Sequence, residues 1–125
     1  MTVSTEDLRQ LLKIPSDEWT SDDVEFGGAI LESARVAVVS RAGPTAVAIA
    51  EELDDQAKLA AVDQATLAWA KLAFANPERV MQRRQGSDYS VSFADSSTAA
   101  LGMREVDAIL AGHFSLGRAQ SAWMV

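Results

Sequence analysis

His113 is the only histidine in the chain, and there is no cysteine. A catalytic triad or a histidine-cluster metal site therefore lacks its partners, and thiol chemistry and disulfides are excluded. Two acidic pairs, Asp22-Asp23 and Asp54-Asp55, could be imagined as a carboxylate dyad or as cation ligands. Each stands where a helix is expected to begin, and capping of orphan backbone N–H groups explains short carboxylates there more simply. Gly27-Gly28 matches no phosphate-binding pattern and reads as close helix packing. The sequence assigns no catalytic, cofactor-binding or metal-ligating residue, and the chain does not read as an enzyme.

Asp63 is less easily set aside. On a helical wheel it falls among Leu59, Thr66, Leu67 and Ala70, on an apolar face where a carboxylate needs a partner. Arg35, between Val24 and Val39 on the wheel of an earlier helix, is a candidate for an internal or intersubunit ion pair. Arg79, Arg83 and Arg84 form a small basic cluster. With a net charge of −7 over 125 residues and no interleaved aromatics, a solvated or subunit-pairing role is favoured over nucleic-acid contact.

These residues must be held by a framework organised around 53–100. Its first part is a strongly apolar helix in which Leu59, Val62, Thr66, Trp69, Ala70 and Ala73 share one face, with Leu67 and Phe74 at the edge. The opposite side carries Ala57, Ala61, Gln64, Ala68 and Lys71. A helix this apolar is expected to be central, touched on several sides. Asp54 or Asp55 can cap it, and Asn76-Pro77 ends it. Beyond it Tyr89, Val91 and Phe93 alternate with Ser90, Ser92 and Ala94, the period of a half-buried strand. With turn residues at 85–88, a β-hairpin near 80–94 is expected.

The flanking elements follow similar logic. Ser4 or Thr5 can cap a short first helix with a Leu8, Leu11, Leu12 stripe, ending before Pro15. Thr20 or Ser21 can cap a long second helix whose apolar face is Phe26, Ile30, Leu31, Ala34, Ala37 and Val38, opposite Glu25, Glu32, Ser33 and Ser40. Arg41 and Gly43-Pro44 are its stop signals. The stretch 45–52 is open between helix and extended chain, because Val and Ile favour strands while Ala and Glu favour helices. A last helix carries Met103, Val106, Ile109 and Leu110 and stops at Gly112. The tail 113–125 is apolar without helical periodicity, and is expected to dock on another chain rather than fold back.

The expected fold is therefore mainly α: a small bundle of about four helices with one β-hairpin and an extended C-terminal tail, in a single domain over 1–125. A composition of 48% hydrophobic and 23% charged residues is that of an ordinary globular domain. The acidic start lacks the basic and apolar runs of a signal peptide, and no apolar stretch is long enough to span a bilayer. The expectation is a soluble protein with no membrane association.

The order of parts, with "ANPERV" closing the Ala-rich helix and "GSDYSVSFADSS" leading to a short last helix, resembles the head-to-tail connector (adaptor or head-completion) proteins of tailed bacteriophages. The resemblance spans about residues 5–111. It departs at "LGMREVD", where that family often has a Leu-Thr-x-x-Glu helix start. It implies a structural virion protein at the head–tail junction, present in the host cytoplasm during assembly. Its copies would form a ring, typically a dodecamer, between the portal protein and a downstream tail or stopper protein. DNA would pass through the channel without specific binding, and no cofactor is implied. Phe114, Leu116, Arg118, Trp123 and Met124 would then bind a partner through the tail, and Arg83, Arg84, Tyr89, Val91 and Phe93 would form the hairpin or a subunit interface.

Two other classes compete. A small helical regulatory or protein-binding module would need no catalytic group, but a DNA-binding regulator should show a basic recognition helix, which the sequence lacks. An enzyme of another type should bring polar groups together in a pocket, and few are on offer.

Overall fold

Local hydrogen bonding starts each of the first helices where the side chains allow it. In the computed structural model, which describes residues 3–76, 80–85, 88–93 and 96–114, α1 (Thr5–Leu12) begins at Ser4. The Ser4 hydroxyl accepts the Asp7 N–H, and the Asp7 carboxylate accepts the Ser4 N–H. The reciprocal box forms even with the short Asp. Leu8 is fully buried and Leu12 packs on the core, but Leu11 is exposed, so the α1 stripe is narrower than its spacing suggests. Lys13 in the left-handed conformation ends the helix, its N–H reaching the Arg9 and Gln10 carbonyls.

A single 3-10 turn, Ser16–Glu18, leads to α2 (Ser21–Ala42). Thr20 and Asp23 repeat the capping box. Ile30, Leu31, Ala34 and Val38 are buried, with Phe26 and Ala37 half-buried beside them. A Cβ on Gly27 would stand 3.5 Å from Leu8 and 3.6 Å from the Trp19 ring. This side of α2 is thus closed over by its neighbours, as the glycine pair suggested. The Trp19 and Phe26 rings each lie tilted against Phe74 of the central helix, with centroids 5.3 and 5.6 Å away, and so tie the start of α2 to the end of that helix.

Gly43 has φ +104°, a backbone conformation that L side chains avoid, and there the chain turns directly into α3 (Pro44–Glu52). The open stretch 45–52 is therefore helical. Pro44 at the first position supplies a helical φ without wasting an N–H, and burial of Val47 and Ala50 offsets the β-branched residues.

Of the two candidate caps for the central helix α4 (Gln56–Ala75), Asp55 serves, its carboxylate accepting the Lys58 N–H at 3.3 Å. Asp54 instead turns the chain at φ 53°. Leu59, Val62, Thr66, Trp69, Ala70 and Ala73 are all buried, as the wheel places them. Ala61, placed on the far side, is buried too, and so is Ala65. An alanine fits either environment, and here α1, α2, α3 and α5 all contact α4, leaving Gln64 and Lys71 outside. The Thr66 hydroxyl is satisfied within the helix by the Val62 carbonyl at 2.7 Å. Asn76 closes the helix, its side chain donating to the Leu72 carbonyl at 2.8 Å.

Between α4 and the last helix the backbone runs through two extended segments, β1 (Val80–Gln85) and β2 (Asp88–Phe93), laid antiparallel with Val80 opposite Phe93 and Gln85 opposite Asp88. Val91 is buried, and its N–H donates to the Ser33 hydroxyl of α2 at 2.8 Å. Ser33, assigned by periodicity to the solvent side, thus faces β2 and supplies an acceptor. In α5 (Ser96–Leu110), Val106 and Leu110 are buried and Met103 and Ile109 partly so. The described residues make a mainly helical bundle of five helices, one more than the sequence settles because α3 is among them.

Candidate functional site

Three places in this bundle hold the residues singled out by chemistry. The first is a cavity of about 460 Å³ between α1, α2 and α4, to which Arg35, Glu32, Asp63 and Thr66 all contribute. Asp63 and Arg35 thus line one cavity. Asp63 Oδ1 is buried and has no hydrogen-bond partner among the described residues. Burial raises the pKa of this carboxyl above the ordinary value, and the Arg35 charge acts in the opposite direction without cancelling it. Removing water from the carboxylate outweighs the attraction.

That imbalance has a measurable consequence. A carboxyl whose folded pKa lies above its unfolded one is protonated more readily in the folded state, so stability falls as pH rises from the ordinary carboxylate value through the folded one. Asp63→Asn should flatten this part of the pH–stability curve. At pH 7 it should raise stability and Tm. Thermal melts of both proteins from pH 3.5 to 7.5 check it; a loss of stability at pH 7 would mean that the ionised carboxylate is held by a favourable partner.

The second place joins the C-terminal end of α2 to α5. Arg41 Nε and Nη2 donate to the two Asp107 carboxylate oxygens at 2.6 and 3.0 Å, a two-pronged pair between half-buried side chains. Within its own helix Arg41 is only a cation at the C-terminal end. Its partner lies 66 residues away, and neither wheel marks the pairing. The bond holds the last turns of α5 against the end of α2.

The third place is the turn after α5. Phe114, expected among the partner-binding residues of the tail, is instead buried in the chain's own core at 8% exposure, with the Lys58 ammonium 5.9 Å from its ring centre. Its N–H bonds to the Leu110 carbonyl, so the turn after α5 carries the ring back onto the bundle. Phe114 belongs to the fold. Leu116, Arg118, Trp123 and Met124 lie outside the described residues. His113 is exposed beyond the end of α5, as a surface histidine would be.

Of the residues expected in a hairpin, Arg83 stands opposite Ser90, Arg84 opposite Tyr89, and Val91 opposite Gln82, while Phe93 is opposite Val80. Arg79 lies outside the described residues. On the outer faces Val36, Ile49, Leu53 and Leu101 are large apolar side chains left exposed. Sequence reading did not single them out, since exposure on an amphipathic helix depends on which neighbour fails to cover it.

Among the described residues no group of three or more His, Cys, Asp or Glu side chains is placed to hold a metal ion, and no helix is long and apolar enough to cross a membrane. No protein family, curated protein or solved structure matches the chain.

Proposed function

We propose that this protein is a structural connector subunit of a tailed-bacteriophage virion, assembling as a ring between the portal and the tail through which DNA passes. The observation that carries the reading is the order and kind of elements. A short capped helix, a long helix and an Ala-rich central helix stopped at Asn76 are followed by an extended excursion that touches α2 through Val91 and Ser33, and then by a short last helix. That succession, with the motifs around 75–97, is what resembles the connector family. The finer architecture of this reading is a β-hairpin across 80–94 and an extended C-terminal tail, the two elements that would meet neighbouring copies and the portal. A net charge of −7 suits a channel wall that lets DNA slide without holding phosphates. No turnover is expected of it, and no cofactor.

Mass measurement of the protein alone, with a portal ring and with mature tail components tests the proposal. A defined multiple of the chain should join the portal, even where the isolated chain is monomeric. Persistent failure to join either component would overturn the reading and leave a small helical protein-binding module, the alternative that the exposed groove between α2 and α3 would then favour.

A further inference from the structure

Helix α3 carries apolar side chains on two sides. Val47 and Ala50 are buried against the bundle, while Thr45, Ala48, Ile49 and Leu53 recur at helical spacing on an outer side and are exposed, Ile49 by 50% and Leu53 by 73%. A helix apolar on both sides is normally covered on both. Its charges have one sign: from Pro44 to Asp55 the chain carries Glu51, Glu52, Asp54 and Asp55 and no basic residue. Elsewhere on the bundle, two adjoining cavities of about 250 and 380 Å³ that share Glu105 form a trough along α4 between α1 and α5. Leu67, Ala68 and Leu72 of α4 line it, with Leu11 at one end and Leu101, 55% exposed, at the other. Its charges are Lys71, Arg104 and Glu105, so the trough is net positive. Lys71 adjoins Leu72, and Arg104 stands one helical turn from Leu101, so both basic groups lie toward the Leu101 end.

We propose that this trough receives α3 of a second copy of the chain, with the acidic end of α3 beside Leu101. The lengths agree: α3 is ~14 Å long, and the trough follows α4 from Gln64 to Leu72, ~12 Å. The charges agree too, since Glu51 and Glu52 would meet Lys71 and Arg104 while Ile49 and Leu53 cover Leu72 and Leu101. The α3 of the same chain is too far away. Leu53 leads directly into the start of α4, and Gln56 there is ~24 Å along the helix from Leu72. Two different faces of one chain therefore meet, a heterologous contact that passes from copy to copy and closes into a ring where the rotation allows. The contact deepens the connector reading, on which its closure into a ring at the portal rests.

The absence of cysteine makes a direct test clean. Leu53→Cys with Leu101→Cys, in the full chain under mild oxidation, should link chains into dimers and longer multimers, both in concentrated solution and on a portal ring. The distance along α4 prevents the same disulfide from closing within one chain. Leu53→Cys with Val24→Cys is the control, since Val24 is 42% exposed on α2 and outside the trough. Its yield should be several times lower. Lys71→Glu with Arg104→Glu should cut the 53–101 link by about fivefold, and adding Glu51→Lys with Glu52→Lys should restore it. All four are exposed side chains, so the fold should survive the exchange. Yields equal to the control, or indifference to the charge exchange, would overturn the contact. Portal joining without the 53–101 link would overturn it while leaving the connector reading in place. The link in concentrated solution without portal joining would support the contact and remove the connector reading.

Discussion

Trp69→Ala is expected to lower the unfolding free energy by about 3–5 kcal/mol, the ordinary range for removing a large aromatic side chain from a core. Trp69 is 5% exposed on α4, the helix that the other four helices contact or surround, so the void would open where no mobile surface element can collapse into it. Against a total stability of about 5–15 kcal/mol for a domain, that loss takes a large fraction of the folded state's margin. Urea unfolding followed by circular dichroism should show a much lower midpoint with a similar slope. Gln64→Ala on the exposed side of the same helix should stay within about 0.5 kcal/mol of the parent. Equal losses at the two positions would mean that α4 is not the centre of the core.

The same helix shows what local sequence can and cannot carry. Ser4 with Asp7 and Thr20 with Asp23 were legible because a cap involves residues three apart and little else. The buried face from Leu59 to Ala73 was legible because large apolar residues recur at the helical period. Ala61 was misplaced, since a small side chain carries little of that signal and only the neighbours decide whether it is covered. In α3 the propensities of Val47, Ile49, Ala46 and Ala48 oppose one another, and Pro44 together with the burial of Val47 and Ala50 tips the balance. Ser33 and Arg41 were read from their own helices, whereas their roles come from Val91 and Asp107 on distant elements. Asp63 stands out in the sequence as a carboxylate on an apolar face, because a polar residue there breaks the period, and its Oδ1 is buried. The proposed function stands on a resemblance in order and short motifs, so the residues that would meet partners are the least legible part.

Phe114→Ala and deletion of residues 115–125 are expected to separate fold from assembly. Phe114 packs in the core beneath Lys58, and its truncation should cost about 3 kcal/mol and lower Tm markedly in the isolated chain. Deleting 115–125 keeps that ring and the turn bonded to Leu110, so unfolding should stay cooperative, with a smaller fall in Tm than Phe114→Ala causes. Under the connector reading, the deletion removes Leu116, Trp123 and Met124 from a partner interface. Each buried large apolar side chain contributes about 1.5–3 kcal/mol, and 1.4 kcal/mol is a factor of ten in affinity, so joining to the portal or a neighbouring subunit should weaken at least tenfold. Melting curves and portal-joining assays on both variants provide the comparison. If deletion of 115–125 destabilises the lone chain as strongly as Phe114→Ala and leaves joining intact, the segment belongs to the core, and the partner surface must lie elsewhere.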